Sequence, residues 1–239
     1  MPIYNLAYWI QTAPWPTPWT PWADTLLYLK FNNNLNDDSG KGNTITWSWI
    51  GYTTLYGNVK CVELTSTTWW INWPWDLMSG IWTGDFVVSF WINPITSNNN
   101  PLMFANWYEW SPRPWVQMFM MYRNGWGLSN QVSYHMTQVW HWSSISATSL
   151  SGTWHNLVFT RISWVCYWYI DWQEKFTSWS DSTDLSRVNI LKILNRADFS
   201  EQKWNSTGVK MSELIVEEKW WSGQESLDYY NQTKWNYWY

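Results

Sequence analysis

Long apolar runs and basic clusters are both missing from this chain of 239 residues. No stretch approaches the roughly 20 consecutive apolar residues that a bilayer-spanning helix needs, so membrane insertion is not expected. The 14 basic residues are outnumbered by 18 acidic ones and form no run of five, which argues against nucleic acid as a partner. The N-terminus has no charged and apolar leader, so no secretory signal peptide is predicted. We expect either a fragment or a component of an exported particle.

Glycine is scarce, with 11 residues where about 17 would be usual for this length. Tryptophan is abundant instead, with 28 residues, and many of these lie between small, polar or turn-forming neighbours rather than at the strand period of core aromatics. Examples are Trp47, Trp49, Trp73, Trp75, Trp107, Trp110, Trp179 and Trp235. We hypothesise that UGA codons, translated here as Trp, encode Gly in the source organism. The alternative is a true Trp-rich protein with exposed stacking platforms. Trp91, Trp154 and Trp221 are interpreted as authentic, and Trp70 is left open.

The segment from Trp164 to Thr177 predicts two antiparallel strands joined by a two-residue turn at Asp171 and Trp172. A type I′ turn requires positive φ at both central residues, and a bulky side chain resists that conformation by roughly 1–2 kcal/mol. Trp172 therefore stands where Gly is expected.

Alternating apolar residues separated by turn clusters predict about a dozen short strands. In 85–93, Phe86, Val88, Phe90 and Ile92 share one face, which we expect to lie in the core. The predicted strands are 25–31, 59–64, 68–72, 85–93, 101–105, 115–122, 131–136, 154–161, 165–170, 173–178, 189–194 and 210–217. Cys61 and Cys166 fall within them and are expected to be buried thiols rather than a disulfide. This pattern predicts an all-β antiparallel sandwich.

The two ends of the chain differ from this pattern. Residues 1–23 are predicted to be an N-terminal tail with a Pro-rich linker, 24–235 the β-sandwich, and 236–239 a C-terminal tail. Ser222 followed by Glu225 forms a capping-box pattern, which predicts one short C-terminal helix.

Five segments resemble, in order and spacing, the laminin-G-like, concanavalin A-like lectin-glucanase superfamily. They are 26–31 with 35–40, 84–92, 153–161, the turn 169–172 and 219–225. The resemblance implies a concanavalin A-like jelly roll and, for most members, binding of glycans or proteins without catalysis. The superfamily normally has Gly where Trp172 and Trp220 stand.

The resemblance also implies one structural Ca²⁺ in some members, held between the first loop and the last strand. Asp37, Asp38 and Glu213 are the candidate ligands here. Ca²⁺ takes six to eight oxygen ligands, but Ser212 and Glu213 stand where an Asp-Glu pair is usual. A solvated Asn/Asp turn is the alternative interpretation of the loop.

Catalytic motifs are missing. The E-x-D-x-x-E pattern of retaining sandwich glycosidases, whose carboxylates lie about 5–5.5 Å apart, does not occur. The three His residues lack metal-ligand spacing, and two Cys cannot build a Cys-rich zinc site. We therefore predict a protein that is not an enzyme.

The sequence therefore predicts a lectin-like binding or adhesion module of a bacterial surface or phage structural protein, located outside the cell, at its surface or on a virion. Its expected partner is a carbohydrate or surface glycoconjugate, with other surface or virion proteins as further partners. The alternative is a structural protein–protein interaction domain without a sugar ligand, and a glycoside hydrolase of the same fold ranks below both. Candidate ligand-binding residues are Tyr108, Tyr122, Arg123, Tyr134 and His135, with core or rim packing as the alternative role of each.

Overall fold

The computed structural model describes residues 19–48, 50–54, 60–64, 70–72, 77, 84–93, 100–103, 118–125, 128–136, 143–146, 152–180, 192–193 and 209–237. The strands in these ranges are β1 Thr25–Leu29, β2 Thr46–Ser48, β3 Ile50–Thr54, β4 Lys60–Leu64, β5 Trp70–Asn72, β6 Phe86–Asn93, β7 Asn100–Met103, β8 Met118–Gly125, β9 Leu128–Met136, β10 Ser143–Ser146, β11 His155–Ile162, β12 Val165–Ile170, β13 Gln173–Ser180, β14 Lys192–Ile193 and β15 Lys210–Glu217. Helix α1 spans Gly223–Thr233, and a 3-10 turn at Lys234–Asn236 follows it.

These strands form two antiparallel sheets. The first sheet has the order β13-β12-β11-β6-β15-β4-β3, and β1 also pairs with β15. The second has the order β10-β9-β8-β7-β14-β5-β2. Each sheet mixes strands from distant parts of the chain, as in a jelly roll. The predicted all-β antiparallel sandwich with one short C-terminal helix is confirmed.

Strand β6 runs through the middle of the first sheet and is buried on both faces. The predicted apolar face, Phe86, Val88, Phe90 and Ile92, is fully buried, as are the alternate residues Val87, Ser89 and Trp91. Sequence alternation predicts one buried face, and the second is buried because helix α1 and its flanking residues cover it. Arg161 of β11 closes one end, donating from its guanidinium to the Gly84 carbonyl at 2.7 and 2.9 Å.

The covering layer on that second face is aromatic. Trp19 lies 4.8 Å from Tyr28 between ring centroids, and Tyr237 stacks at 4.3 Å on Trp91. Both Trp19 and Tyr237 are 7% exposed, although they lie in the segments predicted to be a linker and a tail. The packed unit therefore extends beyond 24–235 at both ends.

Helix α1 begins with the predicted capping box. The Glu225 amide donates to Ser222 Oγ at 3.2 Å, and the Ser222 amide donates to Glu225 Oε2 at 2.8 Å. Hydrogen bonds from Ser222 and the nearby Lys219 ammonium outweigh partial burial and lower the pKa of Glu225. Neither of the two helices described here is long and apolar enough to cross a bilayer.

Two hairpin turns in the first sheet carry large side chains in the left-handed region. Asp171 and Trp172 have φ of 50° and 66° between β12 and β13, as a type I′ turn requires. Ser163 and Trp164 repeat this arrangement between β11 and β12, with φ of 48° and 70°. Trp164 is 52% and Trp172 41% exposed. The predicted turn is confirmed, and a second one of the same kind precedes it.

Other tryptophans lie in the core. Trp91 and Trp221, interpreted from the sequence as authentic, are fully buried, and Trp154 packs 5.1 Å from Tyr237 between ring centroids. Trp168 is also fully buried, 4.7 Å from Phe159. Trp168 and Trp19 therefore join the tryptophans with a packing role. Cys61 and Cys166 are buried and form no disulfide, as expected.

Candidate functional site

The loop between β1 and β2 folds around the carboxylate of Asp37. Oδ1 accepts hydrogen bonds from the amides of Tyr28 and Ser39 at 3.1 and 2.9 Å. Oδ2 accepts from Ser39 Oγ and from the amide and Nδ2 of Asn43 at 2.8, 3.1 and 2.7 Å. Burial alone would raise the pKa of Asp37, but these hydrogen bonds outweigh it and lower that pKa. The carboxylate thus stays charged and fixes the loop.

The backbone of this loop is left-handed at four residues. Phe31 and Asn33 have φ of 57° and 60°, and Gly40 and Gly42 have φ of 82° and 72°. Asn and Gly adopt this region at low cost, whereas Phe31 does so with backbone strain. The Asp38 amide donates to the Tyr28 carbonyl at 2.8 Å and returns the chain to β1.

An open surface groove with a volume of about 650 Å³ lies beside this loop and extends to strand β3. We call it the asparagine groove. It is lined by Asn33, Asn34, Leu35, Asn36, Asp37, Gly42, Asn43, Thr44, Ile45 and Tyr52. Its volume falls within the range of roughly 300–1,000 Å³ that is usual for small-molecule sites. None of the described residues that line it is a Trp.

Several polar groups of the groove keep their hydrogen-bonding capacity. Within the described ranges, the side chains of Asn33, Asn36, Thr44 and Tyr52 form no hydrogen bond. Asn43 uses both Nδ2 hydrogens, on the Leu26 carbonyl at 2.7 Å and on Asp37, so its Oδ1 remains as an acceptor. The groove therefore offers amide donors and acceptors, hydroxyl groups and one aromatic ring.

The carboxylates predicted to bind calcium already interact with other groups of the protein. Asp37 is surrounded by the five donors described above, and Asp38 forms an ion pair with Lys30 at 3.3 Å. Glu213 Oε2 accepts from the Tyr229 hydroxyl at 3.1 Å. Over the part of the chain that the structure describes, no three His, Cys, Asp or Glu residues gather as a metal site. These residues do not fit Ca²⁺ well, and the ion stays a prediction.

Two acidic residues of β15 accept hydrogen bonds from the segments that cover this strand. Burial of its carboxylate raises the pKa of Glu213 to about 7, against the lowering effect of the Tyr229 hydroxyl, although the residue keeps some solvent exposure. Glu217 is fully buried and accepts from Thr25 Oγ1 at 2.7 Å and Trp221 Nε1 at 2.6 Å. Burial raises the pKa of Glu217 as well. Both carboxyl groups link the last strand to the segments that cover it.

A hydroxyl, an imidazole and a carboxylate form a series at the start of β11. Thr153 Oγ1 lies 2.7 Å from His155 Nε2, and His155 Nδ1 lies 2.6 Å from Asp171 Oδ2. Asp171 Oδ1 also accepts from the Asn156 amide at 2.9 Å. Side chains two residues apart in an extended segment share a face, so the contact between Thr153 and His155 is local. We interpret the series as a brace that holds the Asp171 turn against β11.

The ligand-binding residues predicted from the sequence lie elsewhere. Tyr108 is outside the described residues. Tyr122 and Arg123 are in β8, opposite Val132 and Gln131, whereas Tyr134 and His135 are in β9, opposite Met120 and Phe119. The structure therefore places these four residues on two adjacent strands of the second sheet, and their role in binding stays a prediction.

Sequence reasoning missed the asparagine groove, although one signal was present. The run 32–38 is rich in Asn, whose amides suit hydroxyl recognition, but it was interpreted as one side of a calcium site. Tyr52 gave no signal, because β3 was not predicted.

Comparisons with known proteins bear on the fold. No family model matches the sequence, and no curated protein matches it either. Domain 4 of AbnA, a GH43 extracellular arabinanase from Geobacillus stearothermophilus solved with arabinotriose, is 20% identical with a TM-score of 0.61, and the match covers 86% of this chain and 97% of that domain. These two chains share a fold.

Two toxin domains are also similar. The binding domain of Paraclostridial Mosquitocidal Protein 1 is 13% identical with a TM-score of 0.67, over 87% of this chain and 52% of that one. The ligand-binding domain of botulinum neurotoxin serotype D, solved with N-acetylneuraminic acid, is 16% identical with a TM-score of 0.65, over 87% and 50%. The chain spans about half the length of these toxin domains. At such identities the likeness shows the jelly-roll-like sandwich alone.

Proposed function

We propose that this protein is a non-catalytic glycan-binding module of the laminin-G-like, concanavalin A-like superfamily, and that the asparagine groove holds the sugar. The observation that carries the proposal is an open surface groove of about 650 Å³ lined by amide and hydroxyl groups without protein partners and by Tyr52. Sugar rings present hydroxyl groups at their edges and C–H groups on their faces. Amides can bind the first, and an aromatic ring can pack on the second.

Two further observations support this proposal. Domain 4 of the arabinanase was solved with arabinotriose and the neurotoxin domain with N-acetylneuraminic acid, so the sandwich accommodates sugars in other proteins. The sequence also lacks the paired acids of a sandwich glycosidase. We place the module outside the cell, on a bacterial surface or a phage particle, in keeping with the sequence-based expectation.

A glycan array followed by calorimetry on the hits tests the proposal. We expect specific sugar binding that weakens when Asn36 or Tyr52 is replaced by Ala. Asn36 is exposed and forms no side-chain hydrogen bond, so Asn36→Ala should leave the fold intact. A flat array, with folding verified by circular dichroism, would refute glycan binding.

Exposed tryptophans favour the second candidate, a structural domain that packs against other proteins. Trp22, Trp164, Trp172, Trp220 and Trp235 are between 37% and 52% exposed. Exposed apolar side chains are typical of interaction surfaces where they form a contiguous patch. Self-association in light scattering together with a flat array would favour this function. If the self-association disappears when these five Trp residues are replaced by Gly, the Trp side chains cause it.

We also infer that Gly stands at positions 164 and 172 in the native protein, in line with the codon hypothesis. The support is conformational, since Trp has φ of 70° and 66° there and is exposed at both places. Mass spectrometry of peptides from the source organism tests this inference. Intact Trp at position 172 would refute it.

A further inference from the structure

We propose that the asparagine groove selects neutral sugars and discriminates against acidic ones such as sialic or uronic acids. This inference rests on the proposed function, because it assigns a ligand class to the same groove. It follows from the hydrogen bonds that the backbone N–H groups of the loop already form.

Asp37 already occupies the position that an anionic ligand would need. Backbone N–H groups that converge on one point can bind an anion such as phosphate or carboxylate. Here the amides of Tyr28, Ser39 and Asn43 all point at the Asp37 carboxylate, at 2.9 to 3.1 Å. The loop has thus used its backbone donors on a negative charge of its own, and that charge lines the groove.

The lysines of this loop and of β4 interact with other groups of the protein. Lys30 forms an ion pair with Asp38, and Lys41 donates from Nζ to the Ala23 carbonyl at 3.0 Å. Lys60, at the start of β4, donates to Thr54 Oγ1. None of these lysines lines the groove. Among the residues that the structure describes in this lining, an acidic sugar would therefore meet one carboxylate and no opposite charge, which opposes binding.

The remaining groups suit uncharged hydroxyls. Asn33 and Asn36 each offer both a donor and an acceptor, and Thr44 adds a hydroxyl. Burial raises the pKa of Tyr52 above its ordinary value, so its phenol is neutral at physiological pH. Its ring and the side chains of Leu35 and Ile45 form the apolar part of the lining.

The test is calorimetric titration of the full chain with matched neutral and acidic probes. Arabinotriose, cellotriose and lactose form the neutral set, and N-acetylneuraminic acid, trigalacturonate and sialyllactose form the acidic set. We expect at least one neutral probe to bind about tenfold or more tightly than every acidic probe. Tyr52→Ala should weaken that binding about fivefold to tenfold. Trp235→Ala, at an exposed site that does not line the groove, should leave it unchanged.

A gain-of-function variant gives the second arm. Asn36→Lys adds a cation to the lining at an exposed position, and we expect it to improve binding of the acidic probes about tenfold, with the gain reduced by salt. Acidic probes that bind the original protein as tightly as neutral ones would overturn the inference and leave the proposed function intact. Sugar binding that neither Tyr52→Ala nor Asn36→Lys alters would overturn it too, because the sugar would lie elsewhere. If no probe binds and the array is also flat, the proposed function itself fails.

Discussion

Replacing Trp164 and Trp172 by Gly should stabilise this protein, although most substitutions of large residues destabilise. Each Trp has a left-handed backbone, with φ of 70° and 66°. That conformation costs an L-residue roughly 1–2 kcal/mol. Gly adopts it freely but loses about 0.5–1 kcal/mol of backbone entropy on folding. The net gain is therefore about 0.75 kcal/mol for each turn at the middle of both ranges.

Loss of packing opposes this gain, because Trp164, 52% exposed, and Trp172, 41% exposed, still bury about half of their surface. The conformational term sets the upper limit, about 1–2 kcal/mol in free energy of unfolding for the double variant. For a domain of this size, a change of 1 kcal/mol moves the melting temperature by about 2–4 °C. We expect a rise of up to roughly 8 °C in a thermal melt, and a matching shift of the urea midpoint at constant slope.

Two tryptophans serve as matched controls. Trp220 is 40% exposed but does not have positive φ, so Trp220→Gly should give no gain. Trp221 is fully buried, and Trp221→Gly should cost about 3–5 kcal/mol. A double variant at the turns that melts at or below the temperature of the original protein would refute the conformational argument. An equal gain from Trp220→Gly would show that removal of exposed Trp, rather than φ, is responsible.

Three further predictions concern Glu213, Asp37 and calcium. The raised pKa of Glu213, about 7 against an ordinary 4.5, means that the folded state binds more protons than the unfolded state between these values. The free energy of unfolding should therefore fall as pH rises from about 4.5 to 7. Urea titrations at several pH values should show a weaker dependence of this free energy on pH for Glu213→Gln, and an identical dependence would contradict the prediction. Asp37→Asn should cost about 2–3 kcal/mol near neutral pH, because the amide cannot accept all five donors. Because the pKa of Asp37 is lowered in the folded state, its contribution to stability is fully present above its unfolded pKa and is lost as pH falls through its folded pKa. An unchanged urea midpoint for Asp37→Asn would contradict this role. EDTA should leave the melting temperature unchanged, and a drop that Ca²⁺ reverses would instead support a calcium site.

Local patterns in the sequence were enough to place most of the sandwich. The alternation at Phe86, Val88, Phe90 and Ile92 marks a core strand, because side chains of a strand alternate between faces whatever surrounds them. The turn at Asp171 and the capping box at Ser222 were predicted for the same reason. Their hydrogen bonds and backbone conformations depend on residues no more than a few positions apart.

Strands with weak local signals were missed. β3 begins after a Trp-Ser-Trp run and contains Gly51, a residue type that is depleted in strands. β10, Ser143–Ser146, is polar at three of its four positions. Such strands form because they pair with a neighbouring strand. Every residue of β3 pairs with β4, and every residue of β10 pairs with β9.

The sequence by itself determined the strand periods, the turn chemistry and the lack of catalytic motifs, since each depends on neighbouring residues. Only the tertiary structure decided which segments meet. Trp19 packs on Tyr229, Tyr237 stacks on Trp91, and the Asn-rich loop lies beside Tyr52 to form the groove. These contacts join residues far apart in the chain or in a strand that was not predicted. Burial of apolar surface drives them without a fixed spacing, and so they leave no pattern in the sequence.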